Sequence, residues 1–217
     1  MGKQWVRAQI KHNELQDILE AGLAWVSRNR KTAGIAAGSA LAAVLLVSGI
    51  LYQRKSLRSE AWNKLWMVQA YAYSNRLPDA LEQMKGLAAD YPNTPATAFG
   101  WLFAGDMLFP QGKFQEAVEH YTRLIEMGTE GLQPYALNGL AISFEAAGQP
   151  QKAAEAAQRF LDLYPDHFLA PQVHGCLARS LKTLGQLEQA KGALQRITIQ
   201  YQDTSWAKWA QDQLQSK

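Results

Sequence analysis

Apolar positions recur in this chain at the spacing of a helix that buries one face. In KFQEAVEHYTRLIEMG, residues 113–128, Phe114, Ala117, Val118, Tyr121, Leu124 and Ile125 fall at i, i+3, i+4, i+7 and beyond, and Gly128 closes the run. YALNGLAISFEAAG, residues 135–148, repeats the design with Leu137, Leu140, Ala141 and Phe144 before Gly148. The spacing predicts pairs of short amphipathic helices joined by tight turns. One stretch breaks the pattern. From Thr32 to Gln53 the chain is uncharged, TAGIAAGSALAAVLLVSGILYQ, and apolar on every side of a helix. Twenty-two residues rise about 33 Å as a helix, enough for a bilayer core of about 30 Å. Arg28, Arg30 and Lys31 precede it and Arg54, Lys55 and Arg58 follow, where long basic side chains reach the headgroups. A retained transmembrane helix over 32–53 is the expectation. A cleaved signal peptide fits poorly, because the leading segment is long and no small-x-small cleavage site follows.

Outside the span the pattern is periodic. The phrases NRLPDA, GKFQEA, GQPQKA and GQLEQA end at Ala80, Ala117, Ala153 and Ala190, at intervals of 37, 36 and 37 residues. Pro134 and Pro171 are also 37 apart, each where a helix would begin. ADYPNT, DLYPDH and IQYQDT place Tyr91, Tyr164 and Tyr201 at separations of 73 and 37. Each unit therefore reads as helix, turn, helix, loop, with alanine allowing close approach of the second helix. Proline after Tyr91 and Tyr164 ends that second helix, and Asn93, Thr94, Asp166 or Thr204 is expected to cap the next one.

These units resemble the tetratricopeptide repeat, whose pattern is W-x-x-L-G-x-x-Y, then A-x-x-x-F, then P. The second unit carries Trp101, Ala104, Gly105, Leu108, Ala117 and Tyr121, and the third Leu137, Leu140, Ala141, Phe144, Ala153, Ala157 and Pro165. Met67, Tyr71, Ala80, Met84 and Pro92 mark the first unit; Leu177, Ala178, Leu181, Ala190 and Leu194 mark the fourth, which has Gln202 in place of proline. The interval exceeds the family's period of about 34 residues, which longer loops between units would absorb. After the fourth unit, Trp206, Ala210 and Leu214 share a face of a final helix suited to cover the open end. The expected fold is all-α: residues 1–31 an N-terminal segment, 32–53 a transmembrane helix, 54–203 an α-solenoid of about four helical hairpins, and 204–217 a capping helix.

What the resemblance implies is a surface, formed by the first helices, that holds peptides or protein segments. Carried onto this sequence, that surface is Trp62, Leu65, Gln69, Ala72 and Tyr73; Phe99, Leu102, Asp106 and Phe109; Tyr135, Asn138, Ile142 and Glu145; and Gln172, Gly175, Arg179 and Lys182. Its start is aromatic and its end basic. The lysines and arginines of the family's carboxylate-binding variant are mostly replaced by apolar residues, so capture of a C-terminal carboxylate is not expected.

Span and repeats together resemble the membrane-anchored tetratricopeptide proteins of bacteria. Among these the chain is similar to the YfgM-like ancillary subunits of the Sec translocon, through phrases such as YPNTPA and FLAPQVHGCLARSLKTLGQLEQA. That resemblance implies a cytoplasmic N-terminus, an inner-membrane span and periplasmic repeats that meet the translocon and envelope chaperones. Charge barely decides the orientation, since three basic residues lie within twenty positions before the span and four after it. The alternative keeps the fold but turns the repeats to the cytoplasm, or gives them to a secretion, pilus or outer-membrane assembly.

Charge and chemistry narrow the remaining classes. Residues 1–58 carry nine Lys/Arg against three Asp/Glu, and 59–217 carry thirteen against sixteen. A mildly acidic repeat domain does not suit nucleic acid. The single cysteine, Cys176, excludes an intramolecular disulfide and a cysteine metal cluster. The four histidines do not converge, and no phosphate loop, dinucleotide fingerprint or nucleophile elbow occurs. No enzyme activity, cofactor, metal or small-molecule substrate is expected; the expected partners are proteins or peptides, and lipid through residues 32–53. Before the span, Leu15, Ile18, Leu19, Leu23 and Val26 share one face of a predicted helix, suited to the membrane interface or a partner helix. Gly34 and Gly38 have a spacing that supports helix pairing.

Overall fold

The computed structural model describes residues 17–216, and every element among them is helical. The chain divides into two compact units, residues 1–56 and Leu57–Lys217.

In the first unit, α1 covers residues 17–28, and α2, Arg30–Tyr73, begins after a one-residue break at Asn29. Ile18, Leu19, Leu23 and Val26 are all exposed on α1. Leu15, the first residue of the predicted apolar face, lies outside the described residues. Among the described residues the uncharged stretch of α2 is largely uncovered: Leu41, Val44, Leu45, Leu46 and Leu51 are all more than half exposed. It is the one described helix long and apolar enough to cross a membrane.

The second unit begins within α2, whose last turns bury Ala61, Leu65 and Val68. These turns pair with α3 (Leu77–Asp90). Three further hairpins follow: α4 (Pro95–Leu108) with α5 (Phe114–Glu126), α6 (Gln133–Ala146) with α7 (Pro150–Leu163), and α8 (Ala170–Thr183) with α9 (Leu187–Gln200). Helix α10 (Ser205–Gln215) lies over the last pair, burying Ala207 and Ala210. Short 3₁₀ turns at Phe109–Gln111 and Glu130–Leu132 precede α5 and α6.

The period is written into the backbone. Each turn within a hairpin holds one residue at positive φ: Asn75 (60°), Gly112 (74°), Gly148 (70°) and Gly185 (75°). The next residue's N–H then reaches back five positions, from Arg76 to Tyr71, Lys113 to Leu108, Gln149 to Phe144 and Gln186 to Leu181, at 2.9–3.2 Å. This closure satisfies carbonyls that the helix end leaves open and needs a left-handed residue, for which asparagine serves in the first unit. The alanines of the period are buried, with 2, 0, 0 and 5% exposure at Ala80, Ala117, Ala153 and Ala190.

The tyrosine joints are equally regular. Tyr91, Tyr164 and Tyr201 end α3, α7 and α9 with φ of −134°, −137° and −121°. Tyr91 donates its hydroxyl to Glu60 at 3.0 Å, and Tyr164 to Gln133 at 2.6 Å; both acceptors lie on the first helix of the same hairpin. Thr94 and Thr204 cap α4 and α10, accepting from Thr97 N–H (3.3 Å) and Ala207 N–H (3.2 Å). Asp166 does not cap α8, because the loop after Tyr164 runs on to Leu169, which stands at the N-cap without a side-chain bond. His167 instead accepts the Leu169 N–H through Nδ1 at 3.2 Å. Asn93 stands one residue ahead of the cap that Thr94 provides.

Candidate partner-binding face

The period assigns equivalent slots on α2, α4, α6 and α8, and burial separates them. The slot Trp62, Phe99, Tyr135 and Gln172 is at or near the surface, with 39, 44 and 38% exposure for its three aromatics. The slot Leu65, Leu102, Asn138 and Gly175 turns inward. Leu65 is 2% exposed, in a core cluster with Ala61, Val68, Ala80, Met84 and Leu87. Leu102 and Asn138 are half-buried, and a Cβ on Gly175 would stand 3.3 Å from the Trp209 ring. Leu65 is therefore a core residue that offers no surface to a partner, because this slot faces the neighbouring helices rather than solvent.

At the start of the domain the exposed aromatics meet in pairs. The rings of Trp62 and Phe99 are 5.6 Å apart, and Tyr73, 76% exposed, meets Phe103 edge-on at 5.8 Å. Trp66, 72% exposed, was not among the expected residues, although its place four residues after Trp62 puts both on one face of α2. Tyr135 leans on His167 (5.6 Å) and on Phe168 (6.1 Å), itself 70% exposed. Phe109 is half-buried against Phe114 at 5.2 Å, and Ile142 is half-buried against the core.

The polar members are held by neighbours. Asp106 accepts the hydroxyl of buried Tyr121 at 2.7 Å; partial burial raises its carboxyl above the usual range, and the bond opposes that rise. The Tyr121 hydroxyl is raised in turn, first by burial and then by the Asp106 charge. Glu145 on α6 accepts two bonds from Arg179 on α8, at 2.6 and 2.8 Å, and this pair raises the guanidinium further. The same guanidinium lies 5.8 Å from the Trp209 ring, tying α10 to α8. Lys182 is exposed one turn on. The structure thus brings Trp62 to Phe99 and Glu145 to Arg179.

Beside Arg179 and Lys182, helices α8, α9 and α10 enclose a wedge of about 370 Å³ with walls of Ala178, Leu187, Ala190, Leu194, Trp209 and Leu214. The sequence reading missed this wedge, since Trp209 sits one position before the stripe assigned to α10.

Reactive chemistry is muted. Cys176 is buried, which pushes its thiol up to about 12. His174 is 4% exposed and held down to about 4 by burial and then by Arg196. Burial also lowers His120, whose ring lies 5.2 Å from that of Trp101. Among the described residues, no group of three His, Cys, Asp or Glu is placed to hold a metal ion.

A tetratricopeptide-repeat family model matches residues 67–129 and again 102–168. Over residues 67–168 the repeat domain matches the tetratricopeptide-repeat family. Three solved structures share its architecture. Nearly identical tetratricopeptide-like repeats from a Podosopora anserina kinesin light chain are 18% identical, cover 72% of this chain and 84% of their own, and superpose with a TM-score of 0.57. A tetratricopeptide repeat protein from Parabacteroides merdae is 19% identical over 70% of this chain and 58% of its own, with a TM-score of 0.58. YrrB, described as a tetratricopeptide protein with an unusual peptide-binding site, is 18% identical over 64% of this chain and 68% of its own, with a TM-score of 0.52. At these identities the likeness concerns the fold. No curated protein matches the sequence. Tetratricopeptide repeats typically serve as scaffolds for protein interaction.

Proposed function

We propose that this chain is a membrane-anchored scaffold that holds protein segments against the first helices of its tetratricopeptide repeats. The observation that carries the reading is the run of exposed aromatics, Trp62, Trp66, Phe99 and Tyr135, on helices otherwise buried by alanine and leucine. Exposed aromatic clusters on a folded surface mark sites for partner binding. Tyr73, Leu102, Asp106, Phe109, Asn138, Ile142, Glu145, Arg179 and Lys182 complete the face or support it. That one tetratricopeptide neighbour is described as having a peptide-binding site agrees with this use of the fold.

In the same reading residues 32–53 anchor the chain in a bacterial inner membrane, with 1–31 in the cytoplasm and the repeats of 54–203, closed by 204–217, in the periplasm. Partners there are segments of proteins near the secretion translocon or of envelope chaperones. The uncharged, unburied stretch of α2 supports the anchor, and the resemblance to YfgM-like subunits supports the side.

Two measurements test it. A tag after Lys217 should be cleaved by protease in cells with only the outer membrane opened. Protection, beside a cleaved periplasmic control, would move the repeats to the cytoplasm and replace the translocon reading with that of a cytoplasmic adaptor. Crosslinked partners recovered with the wild type should be lost with Phe99→Asp and Tyr135→Asp. Partners retained by both variants would refute the aromatic face.

A further inference from the structure

We infer that the wedge between α8, α9 and α10 is a second docking site, specific for a segment that presents bulky apolar side chains flanked by aspartate or glutamate. The inference rests on reading the repeats as a peptide-binding scaffold, and adds a subsite with its own chemistry at the opposite end from the aromatics. The floor is apolar: Leu187, Leu194, Trp209 and Leu214 face a volume of about 370 Å³. Cavities of roughly this size, mostly apolar with a few placed polar groups, are what ligand side chains fill.

The rim supplies the charge. Arg179, Lys182 and Lys191 all line the wedge, and among the described residues no acidic side chain does. Glu145, the nearest acid to Arg179, has both oxygens engaged by that guanidinium. Glu188 meets Lys191 at 2.8 Å, but its side chain is 86% exposed and turned to solvent, so the pair is a weak one. Lys182 has no ion-pair partner among the described residues. The mouth therefore keeps a net positive field over an apolar floor, in a repeat domain whose sequence is otherwise mildly acidic. Potential of that sign, beside a low-dielectric wall, favours an approaching carboxylate and selects against lysine-bearing segments.

Arg179 sets the geometry. Its guanidinium bridges Glu145 on α6 and the ring of Trp209 on α10, so the basic rim and the apolar wall are positioned by one side chain.

The test uses the full chain in detergent micelles, with empty micelles as the baseline for fluorescence anisotropy. The probe is a fluorescein-labelled peptide of repeated Asp-Leu-Leu-Glu; its counterparts carry lysine for each acid, or serine for each leucine. The acidic leucine peptide should bind, and both counterparts should bind at least about tenfold more weakly. Lys182→Glu with Lys191→Glu, two changes at exposed positions, should weaken the acidic peptide by roughly tenfold and favour the lysine peptide. Phe99→Asp, at the other end of the domain, should leave this binding within about twofold. Absence of binding by the acidic peptide, equal binding of the lysine peptide, or indifference to the double reversal would each overturn the inference. Loss on Phe99→Asp with retention on the double reversal would assign the peptide to the aromatic face, sinking the wedge while sparing the proposed function.

Discussion

A single added methyl group at Gly139 tests how the repeats are packed. Tyr121 is 2% exposed and lies between two glycines on different helices, Gly105 of α4 and Gly139 of α6. A Cβ at 139 would stand 2.5 Å from Cζ and 2.6 Å from Cε1 of the ring, and one at 105 would stand 2.7 Å from both. The ring cannot give way, because retreat from Gly139 drives it toward Gly105 and its hydroxyl is tied to Asp106 at 2.7 Å. Overpacking of this kind costs about 1–3 kcal/mol, here at the upper end, whereas replacing glycine by alanine inside a helix gains about 1 kcal/mol. Gly139→Ala should therefore destabilise by about 2 kcal/mol, a fall in Tm of about 4–8 °C for a chain of this length.

Gly192→Ala supplies the control. Nothing lies within 4 Å of a Cβ placed on Gly192 in α9, so only the propensity gain applies there. That variant should melt about 2–4 °C above wild type. Far-UV circular dichroism of the full chain in micelles reads both. A Gly139→Ala melt at or above wild type would refute the clash. So would a cost that persists in a Tyr121→Leu background, where the offending ring carbons are gone.

Other consequences can be checked on the same preparations. His174 is neutral in the fold, held to about 4 by burial, against about 6.5 unfolded. Its contribution is complete above about pH 6.5 and is lost as pH falls toward 4; His174→Gln should flatten the acid side of the stability profile by about 1–3 kcal/mol. Asp106, raised by burial, acts in the opposite sense, so an unchanged slope in the His174 variant would refute the assignment. Cys176 should resist iodoacetamide in the native state near neutral pH and label only on unfolding, since its thiol is buried and pushed up to about 12; rapid native labelling would contradict its placement. Glu145→Gln should cost about 1 kcal/mol at low salt and less at high salt, because the Arg179 pair it breaks is bidentate but partly exposed; an equal cost at both ionic strengths would argue that packing, not charge, is lost.

The solenoid was legible in the sequence because each hairpin meets its neighbours in the same way, so the same residue types recur at the same places. Alanine at 80, 117, 153 and 190 is one such place. The residue with positive φ is another, and there Asn75 fills the slot that glycine fills three times. Loop length was less legible. The joint after Tyr164 runs longer than those after Tyr91 and Tyr201, which moves the start of α8 past Asp166 and deprives that residue of its expected role. Pairings set by packing between helices were not legible at all. Asp106 reads as a surface charge until Tyr121 arrives beside it from α5, and Glu145 and Arg179 meet across 34 residues.

The partner-binding face shows the limit of periodicity most clearly. Period gives the slot but not its direction, and one slot of the four assigned to the face points inward. Leu65 is buried, Leu102 and Asn138 are half-buried, and the Trp209 ring lies against Gly175. The outward slots behave differently. Trp62, Phe99, Tyr135 and Gln172 change from repeat to repeat, as do Gln69, Asp106, Ile142 and Arg179. The alanines at 80, 117, 153 and 190, packed against repeated neighbours, keep one size, and the outward positions do not carry that constraint. Positions freed from that constraint can each answer to a different part of a bound segment. Under the proposed function, the aromatic beginning and the basic end of the domain would address two chemically different stretches of partner, an apolar one at Trp62 and Phe99 and an acidic one at Lys182.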